Sequence, residues 1–300
     1  MTTFFSRRAL LRLGVAGAVL PIVGQFGISN ALAAKTPIRF VVGPFLPTPD
    51  DTRKEWEPMF RSLAEKIGRP YSLVATSDWA GISIALSSGK ADVGFVGPWG
   101  YVLSRREGNV VPLAVSLVNG SATYKAIIVA RKGLNIAKFP EDAKGLRISF
   151  ADMGSTSGWL VPSYWFHEQG IDPKQYFQYR DGATHAANEV AVASGQVDLA
   201  TDNDMNRSIM ISRGVIKEED TTPVWHSDPV PNSLMAARGD LDPALLKQIK
   251  EALLAITPEQ ARVTMPKMFT GWADTKPDDY DPIEKAGLAL GLLKAKKAKQ

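Results

Sequence analysis

The stretch Gly154-Ser155-Thr156-Ser157-Gly158-Trp159-Leu160-Val161-Pro162 places three consecutive hydroxyls where an apolar run, Leu146 to Phe150, gives way to a helical pattern. The first N–H groups of a helix lack intrahelical partners and sit at the positive end of its dipole. Hydroxyls added there supply neutral donors, so a tetrahedral oxyanion is held without a lysine. Ordinary N-capping by Ser155 or Ser157 needs only one hydroxyl, and the local sequence leaves both readings open. Ser155, Ser157, His185 and Asp202 also carry the letters of a hydrolase triad. The Gly-X-Ser-X-Gly elbow is absent, however, because Thr156 holds its centre. No His-X-X-X-His pair exists among His167, His185 and His226, no Walker loop is present, and zero cysteines exclude thiol nucleophiles and Cys-held metals. No cofactor is expected.

Alternating strand and helix patterns must position these groups. Ile38–Val42 reads as a buried strand closed by Gly43-Pro44, and Trp56, Met59, Phe60, Leu63 and Ile67 define a helix from Asp50 that Gly68 stops. Tyr71–Val74 is a second strand, Asp78 caps a helix ending at Gly89, and Ala91–Val96 is a third strand. This is βαβαβ, the doubly wound pattern. Strand Tyr124–Val129 leads to Arg131-Lys132-Gly133, and a second set then begins: strand 146–150, a helix from about Ser157, a strand near Tyr176, a helix from about Thr184 and strand Val197–Thr201. Strand Leu234–Ala237 and helices near 243–255, 258–265 and 281–293 are too few for a third domain and should pack on the first. Trp165 and Phe166 are expected in the core, whereas Trp99 and Tyr101, after Gly97-Pro98, suit either the core or a cleft wall. Two α/β units with crossings near 129–133 and 228–236 imply a bilobed body, its cleft faced by βα turns from both lobes.

The 300 residues carry 35 Lys+Arg against 31 Asp+Glu, a net charge of +4. Arg7, Arg8 and Arg12 precede an apolar run from Leu13 to Ile28 and then Ala31-Leu32-Ala33, which reads as a signal peptide over 1–33. Ser6-Arg7-Arg8-Ala9-Leu10-Leu11 further resembles a twin-arginine export signal. The same run approaches the length of a membrane anchor, but Pro21 and four glycines weaken that helix. Removing those arginines and the lysines Lys294, Lys296, Lys297 and Lys299 turns the balance negative. The body therefore lacks the basic face that nucleic-acid binding requires, and no nucleic-acid partner is expected.

Ser155-Thr156-Ser157-Gly158-X-Leu160-Val161-Pro162 resembles the signature of phosphonate- and phosphite-binding proteins of ABC importers. Asp78-Trp79-Ala80-Gly81, Gly89-Lys90-Ala91-Asp92-Val93 with Gly97-Pro98, and His185 followed by Asp198 in Val197-Asp198-Leu199-Ala200 resemble further segments of that family. The resemblance spans about residues 37–240. It implies an α/β fold of the type II periplasmic binding protein class: two doubly wound α/β lobes joined by two crossovers, with a ligand cleft between. The lobes would be 34–130 with 234–300, and 131–233. Trp79, Tyr124, Ser155, Thr156, Ser157 and His185 are the implied ligand contacts. The serines, the threonine and Tyr124 would donate hydrogen bonds, and His185 would donate or, if charged, neutralise.

Three positions depart from the family. Trp79 stands where Tyr is usual, Met205 where aminophosphonate-binding relatives place an acid, and Ser233 where Asp is common. These changes favour a fully ionised or organically substituted phosphonate over an aminoalkyl one, although Asp202 or Asp204 could still supply a carboxylate. The implied role is a periplasmic substrate-binding component, not an enzyme, that delivers phosphonate, phosphite or a related oxyanion to the membrane permease of an ABC importer, as a monomer or weak homodimer. A periplasmic sensor presenting occupancy to a membrane receptor is the alternative, and a phosphoester hydrolase the remaining one.

Overall fold

The computed structural model describes residues 36–294; the expected signal peptide at 1–33 and Lys296, Lys297 and Lys299 lie outside them. Strand β1 (Ile38–Val42), helix α1 (Pro49–Lys66), β2 (Tyr71–Ala75), α2 (Trp79–Ser87) and β3 (Val93–Val96) form the first βαβαβ run. Thr48 starts α1 by accepting the Asp51 N–H, and Asp78 starts α2 by accepting that of Gly81. Helix α3 (Pro98–Gly108) follows, then β4 (Val110–Val118), the ladder strand β5 (Thr123–Tyr124) and β6 (Ala126–Arg131). β4 is missing from the sequence-derived elements because Pro112 interrupts its apolar run. The strand tolerates Pro112 because its register against the neighbouring strand shifts between Ala114 and Pro112.

The second run is β7 (Arg147–Ala151), a π-turn (Thr156–Leu160) leading into α4 (Val161–Glu168), α5 (Pro173–Tyr176), β8 (Gln178–Ala183), α6 (His185–Ala193) and β9 (Leu199–Asn203). The strand expected near Tyr176 begins two residues later, at Gln178, because Asp172 caps and Pro173 opens a helical turn that takes up 173–176. The expected strand Val197–Thr201 begins two residues later, because Val197 bonds back to the end of α6. Next come α7 (Asp204–Ser212), β10 (Thr221–His226), β11 (Val230–Pro231), β12 (Leu234–Arg238), α8 (Pro243–Leu254), α9 (Pro258–Thr264), β13 (Phe269–Ala273) and α10 (Asp281–Ala289).

Two mixed sheets result, with strand orders β13-β4-β12-β3-β1-β2 and β10-β6-β9-β7-β8. Each contains the parallel triplet of a doubly wound fold, β2-β1-β3 in one and β8-β7-β9 in the other. Each triplet therefore has a switch point at the carboxyl end of its first strand. Residues 126–130, grouped by the sequence with the first unit, pair with β9 and β10 of the second sheet. The two connections between the sheets pair with each other as the β5/β11 ladder, Tyr124 opposite Val230. Helices α8 and α9 pack on the first sheet beside α1, whereas α10 touches both α3 and α4 and so bridges the two units.

An aspartate just before the third strand of each triplet ties its sheet together. Asp92 accepts from the Arg39 backbone N–H and guanidinium, with Arg238 beside it. Asp198 does the same with Arg147 and Arg131. These bonds, Arg147 foremost, hold the Asp198 carboxyl far below the usual range. The Gly-X-X-Asp segments at 89–92 and 195–198 thus serve the fold. Around the first sheet Phe45, Trp56, Phe95 and Phe269 interlock with centroids 4.5–6.2 Å apart. Each of the three buried rings, Trp56, Phe95 and Phe269, contributes about 1.5–3 kcal/mol by burial.

Candidate functional site

The carboxyl ends of both parallel triplets face one another, and the turns leaving them line a single cavity of about 30 Å³. Trp79, Tyr124, Ser155, Thr156, Ser157, His185, Met205 and Ser233 all line it. Pro44 and Phe45 follow β1, Gly97 follows β3, the three hydroxyl residues follow β7, His185 follows β8, and Asn203 ends β9. Ser233 arrives from the antiparallel neighbour β12, whose Leu234 pairs with Val96 at the end of β3. A water centre requires roughly 10–15 Å³, so the cavity suits a compact guest.

The hydroxyl segment forms a π-turn rather than a regular helix start: the N–H groups of Leu160 and Val161 reach back five residues to Ser155 and Thr156. Such turns favour functional sites because they re-aim the chain. Ser155 Oγ accepts the Gly158 N–H at 3.1 Å. A Cβ on Gly158 would overlap Ala151 and the His185 ring, which fixes glycine there. Thr156 Oγ1 accepts the backbone N–H of Trp99 at 2.9 Å, capping α3 from the opposite sheet and keeping its own O–H to donate. Trp99 Nε1–H donates to the Met153 carbonyl at 3.1 Å, and the Trp79 N–H to Asp152 at 3.2 Å. These bonds close one sheet's turns onto the other's. Trp99 and Tyr101 are buried, as is Phe166, while Trp165 is half-buried against the same core.

Behind the cavity wall His185 belongs to a chain of bonds. Its Nδ1 lies 2.8 Å from Asp202 Oδ1 and its Nε2 2.9 Å from Ser155 Oγ, while Asn206 Nδ2 donates to Asp202 Oδ2 at 2.9 Å. An ionised Asp202 only accepts, so it takes the Nδ1–H; Nε2 is then bare and takes the Ser155 hydroxyl proton. Burial lowers His185 to about 4 and raises Asp202 to about 7. Glu189, fully buried, is raised to about 10 by burial and then by the charge of Asp202. Tyr124 is raised to about 12 by burial, with the Ser157 and Thr156 hydroxyls opposing. Trp79 Nε1 is buried in the cavity wall with no hydrogen-bond partner, its ring wedged edge-on between Phe45 and His185.

Among the described residues no Lys or Arg lines the cavity, so an anion there would be held by dipoles and N–H or O–H donors. Among the described residues no His/Asp/Glu group is placed to hold a metal. Asp202 faces His185 and Asn206, and Asp204 accepts the Lys125 and Met205 N–H groups; neither lines the cavity as a carboxylate for an amine. Phe45, Asn203, Asn206 and Ile209 line it without having been singled out in the sequence. Asn203 is legible afterwards as the N-cap of α7 at a strand end, whereas Phe45 and Ile209 carry no distinguishing signal.

Residues 45–280 match the family described as "ABC transporter, phosphonate, periplasmic substrate-binding protein". The chain is 27% identical over 212 residues to the phosphate-import protein PhnD of Mycolicibacterium smegmatis, covering 67% of this chain and 66% of that one. It is 26% identical over 228 residues to the phosphonates-binding periplasmic protein of Escherichia coli, covering 74% and 66%. The matched part thus spans just under two thirds of each of these curated relatives. A crystal structure of a binding protein component of an ABC phosphonate transporter from Pseudomonas aeruginosa superposes with a TM-score of 0.77 at 24% identity, over 84% of this chain and 86% of that one. The two sheets therefore make the two-lobed type II binding fold, and the chain belongs to the family of phosphonate ABC-transporter periplasmic substrate-binding proteins.

Proposed function

We propose that this protein is the substrate-binding component of an ABC importer, acting in the periplasm and capturing phosphonate, phosphite or a related phosphorus oxyanion for a membrane permease. One observation carries the reading: the cavity at the paired switch points is lined by hydroxyls, an indole N–H, a phenol and an imidazole but by no cation. Donors without fixed charge suit an anion that must be released again. One lobe is built on each sheet, with the β5/β11 ladder as the crossover about which they close. A ligand touching Ser155, Thr156 and Ser157 from one lobe and Trp79 from the other favours the closed state. The cavity volume favours a compact ligand over a long organic substituent, and Met205 offers an amine no charge.

The test is thermal stabilisation and calorimetry of the purified protein against phosphite, phosphate, methylphosphonate, aminoethylphosphonate, sulfate and taurine. Ligand at 100 times its Kd stabilises by about 2.7 kcal/mol. A shift with phosphorus oxyanions supports the reading, and a shift with sulfonates alone overturns it. His185→Ala should weaken binding more than tenfold with the fold intact. A sensor role makes the same binding prediction; uptake of the ligand lost on deletion of the gene and restored by it separates the two.

A hydrolytic reading has one observation in its favour, the Ser155–His185–Asp202 chain at 2.9 and 2.8 Å. Its test is turnover of p-nitrophenyl phosphate and p-nitrophenyl acetate that Ser155→Ala abolishes. The expected result is no turnover.

A further inference from the structure

The hydrogens of the Ser155–His185–Asp202 chain can be counted. Ser155 Oγ receives the Gly158 N–H and lies 2.9 Å from His185 Nε2. With Asp202 ionised, its two oxygens take the Nδ1–H of His185 and the Asn206 amide. Nε2 is then an acceptor and claims the only hydrogen Ser155 owns. In that state neither Ser155 nor His185 has a hydrogen left for an anion in the cavity, although both line it.

One added proton reverses the chain. Placed on Asp202, it donates to Nδ1 and leaves the hydrogen of His185 on Nε2; placed on His185, it gives the imidazolium. In both cases Nε2–H points to Ser155 Oγ, and the Ser155 O–H is released toward the cavity. No other order of the same atoms frees that donor without breaking a buried hydrogen bond. Among the described residues the wall supplies no lysine or arginine to offset a second negative charge on the ligand.

We infer that the oxyanion binds together with one proton, stored on the Ser155–His185–Asp202 chain, so that Asp202 acts as a positioning residue deciding whether Ser155 can donate. This rests on the anion-binding reading above.

The surrounding charges are compatible with that exchange. From α6, Glu189 lies beside Asp202; from α7 come Asp204 and, acting on Glu189, Arg207; from the turn after β7 comes Asp152, with Asp78 of the α2 cap beyond it. Tyr124 on β5 and Trp79 on α2 complete the wall. Burial opposes a net positive charge on the His185 ring, and the charge of Asp152 works against that effect. Burial lifts Asp202 to about 7, which makes it the receiving group near neutrality, and Glu189, raised to about 10, stays protonated and does not compete.

The experiment is calorimetric titration of the purified protein with phosphite, phosphate and methylphosphonate at about pH 8.5, where the ligands are dianions and Asp202 is ionised, in two buffers of different ionisation enthalpy. The dependence of the heat on buffer gives the number of protons taken up. The expected result is close to one per anion, with affinity falling about tenfold per pH unit above neutrality. Asp202→Asn places an amide N–H against Nδ1 while its carbonyl accepts from Asn206. It thereby holds the ring in the Nε2–H form without a proton, the tautomer switch that an aspartate-to-asparagine change produces in serine protease triads. That variant should bind with near-zero proton uptake and a flat pH profile. His185→Gln, whose amide N–H donates to Ser155 without titrating, gives the same proton count if Asp202→Asn fails to fold. Binding by the native protein without proton uptake overturns the inference and leaves the anion-binding reading standing. Uptake that persists undiminished in the variants also overturns it, because the proton then rides on the ligand. Absence of heat with all three anions overturns both.

Discussion

Thr156→Ala tests the cleft most directly, because one hydroxyl oxygen serves both sheets. Thr156 Oγ1 accepts the Trp99 N–H at 2.9 Å, and that N–H lies in the first turn of α3, where no helical partner exists. Its own O–H remains for the ligand. Removing the oxygen leaves the buried Trp99 N–H unpaired at a cost of about 1–3 kcal/mol and deletes a hydrogen bond to a charged group, about 1.5–3 kcal/mol more. Summed, about 2.5–6 kcal/mol is lost, and with tenfold for each ~1.4 kcal/mol the Kd should rise roughly a hundredfold or more. In an opened cleft water reaches the Trp99 N–H, so the loss falls on closure rather than on folding. Calorimetry or tryptophan fluorescence with the tightest-binding phosphorus oxyanion measures Kd, and urea unfolding of the ligand-free protein should shift far less. Thr156→Ser keeps both bonds and should stay within a few-fold of the native protein. A Thr156→Ala protein binding within threefold of the native one would refute both the donor assignment and the closing bond.

Trp79→Phe removes the unpaired indole N–H from the cavity wall while keeping an aromatic face between Phe45 and His185. It should weaken anion binding about tenfold, one hydrogen bond to a charged acceptor; unchanged affinity would show that the indole donor faces no ligand atom. Met205→Glu adds a carboxylate to the cavity and should shift preference in a competition assay from methylphosphonate toward aminoethylphosphonate, with the simple anion losing more than tenfold. Glu189→Gln replaces a buried acid that is neutral when folded and ionised when unfolded. Because the folded pKa, about 10, exceeds the unfolded value of 4.5, the stability tied to its proton is complete below pH 4.5 and drains as pH rises toward 10. The variant lacks that loss, so its advantage in urea unfolding should grow by about 1.4 kcal/mol per pH unit between pH 6 and 9; a difference independent of pH would show Glu189 to be ionised in the fold.

Local chemistry made much of the molecule legible. Apolar runs, the caps at Asp78 and Thr184 and the glycine stops mark both βαβαβ sets, because strand and helix periods and cap hydrogen bonds are short-range effects. The Ser155-Thr156-Ser157 run announced a helix start with surplus donors for the same reason. The eight residues expected to face one cleft carry their addresses in the chain, each lying near a strand end or, like Tyr124, in a connection between the sheets. Tertiary structure alone decided the rest. That 126–130 belongs to the second sheet depends on pairing with Leu199–Asn203, more than 65 residues away, and no local pattern encodes a partner at that distance. That β4 survives Pro112 depends on a register shift in β4 itself, between Pro112 and Ala114, against β12. Asp202 could be noticed as a carboxylate beside the site, yet only packing turns it away from the cavity onto His185. The Thr156–Trp99 bond joins residues on opposite sheets. Hydrogen-bond direction, burial and the resulting proton affinities belong to groups brought together by folding, and therefore to no single stretch of the sequence.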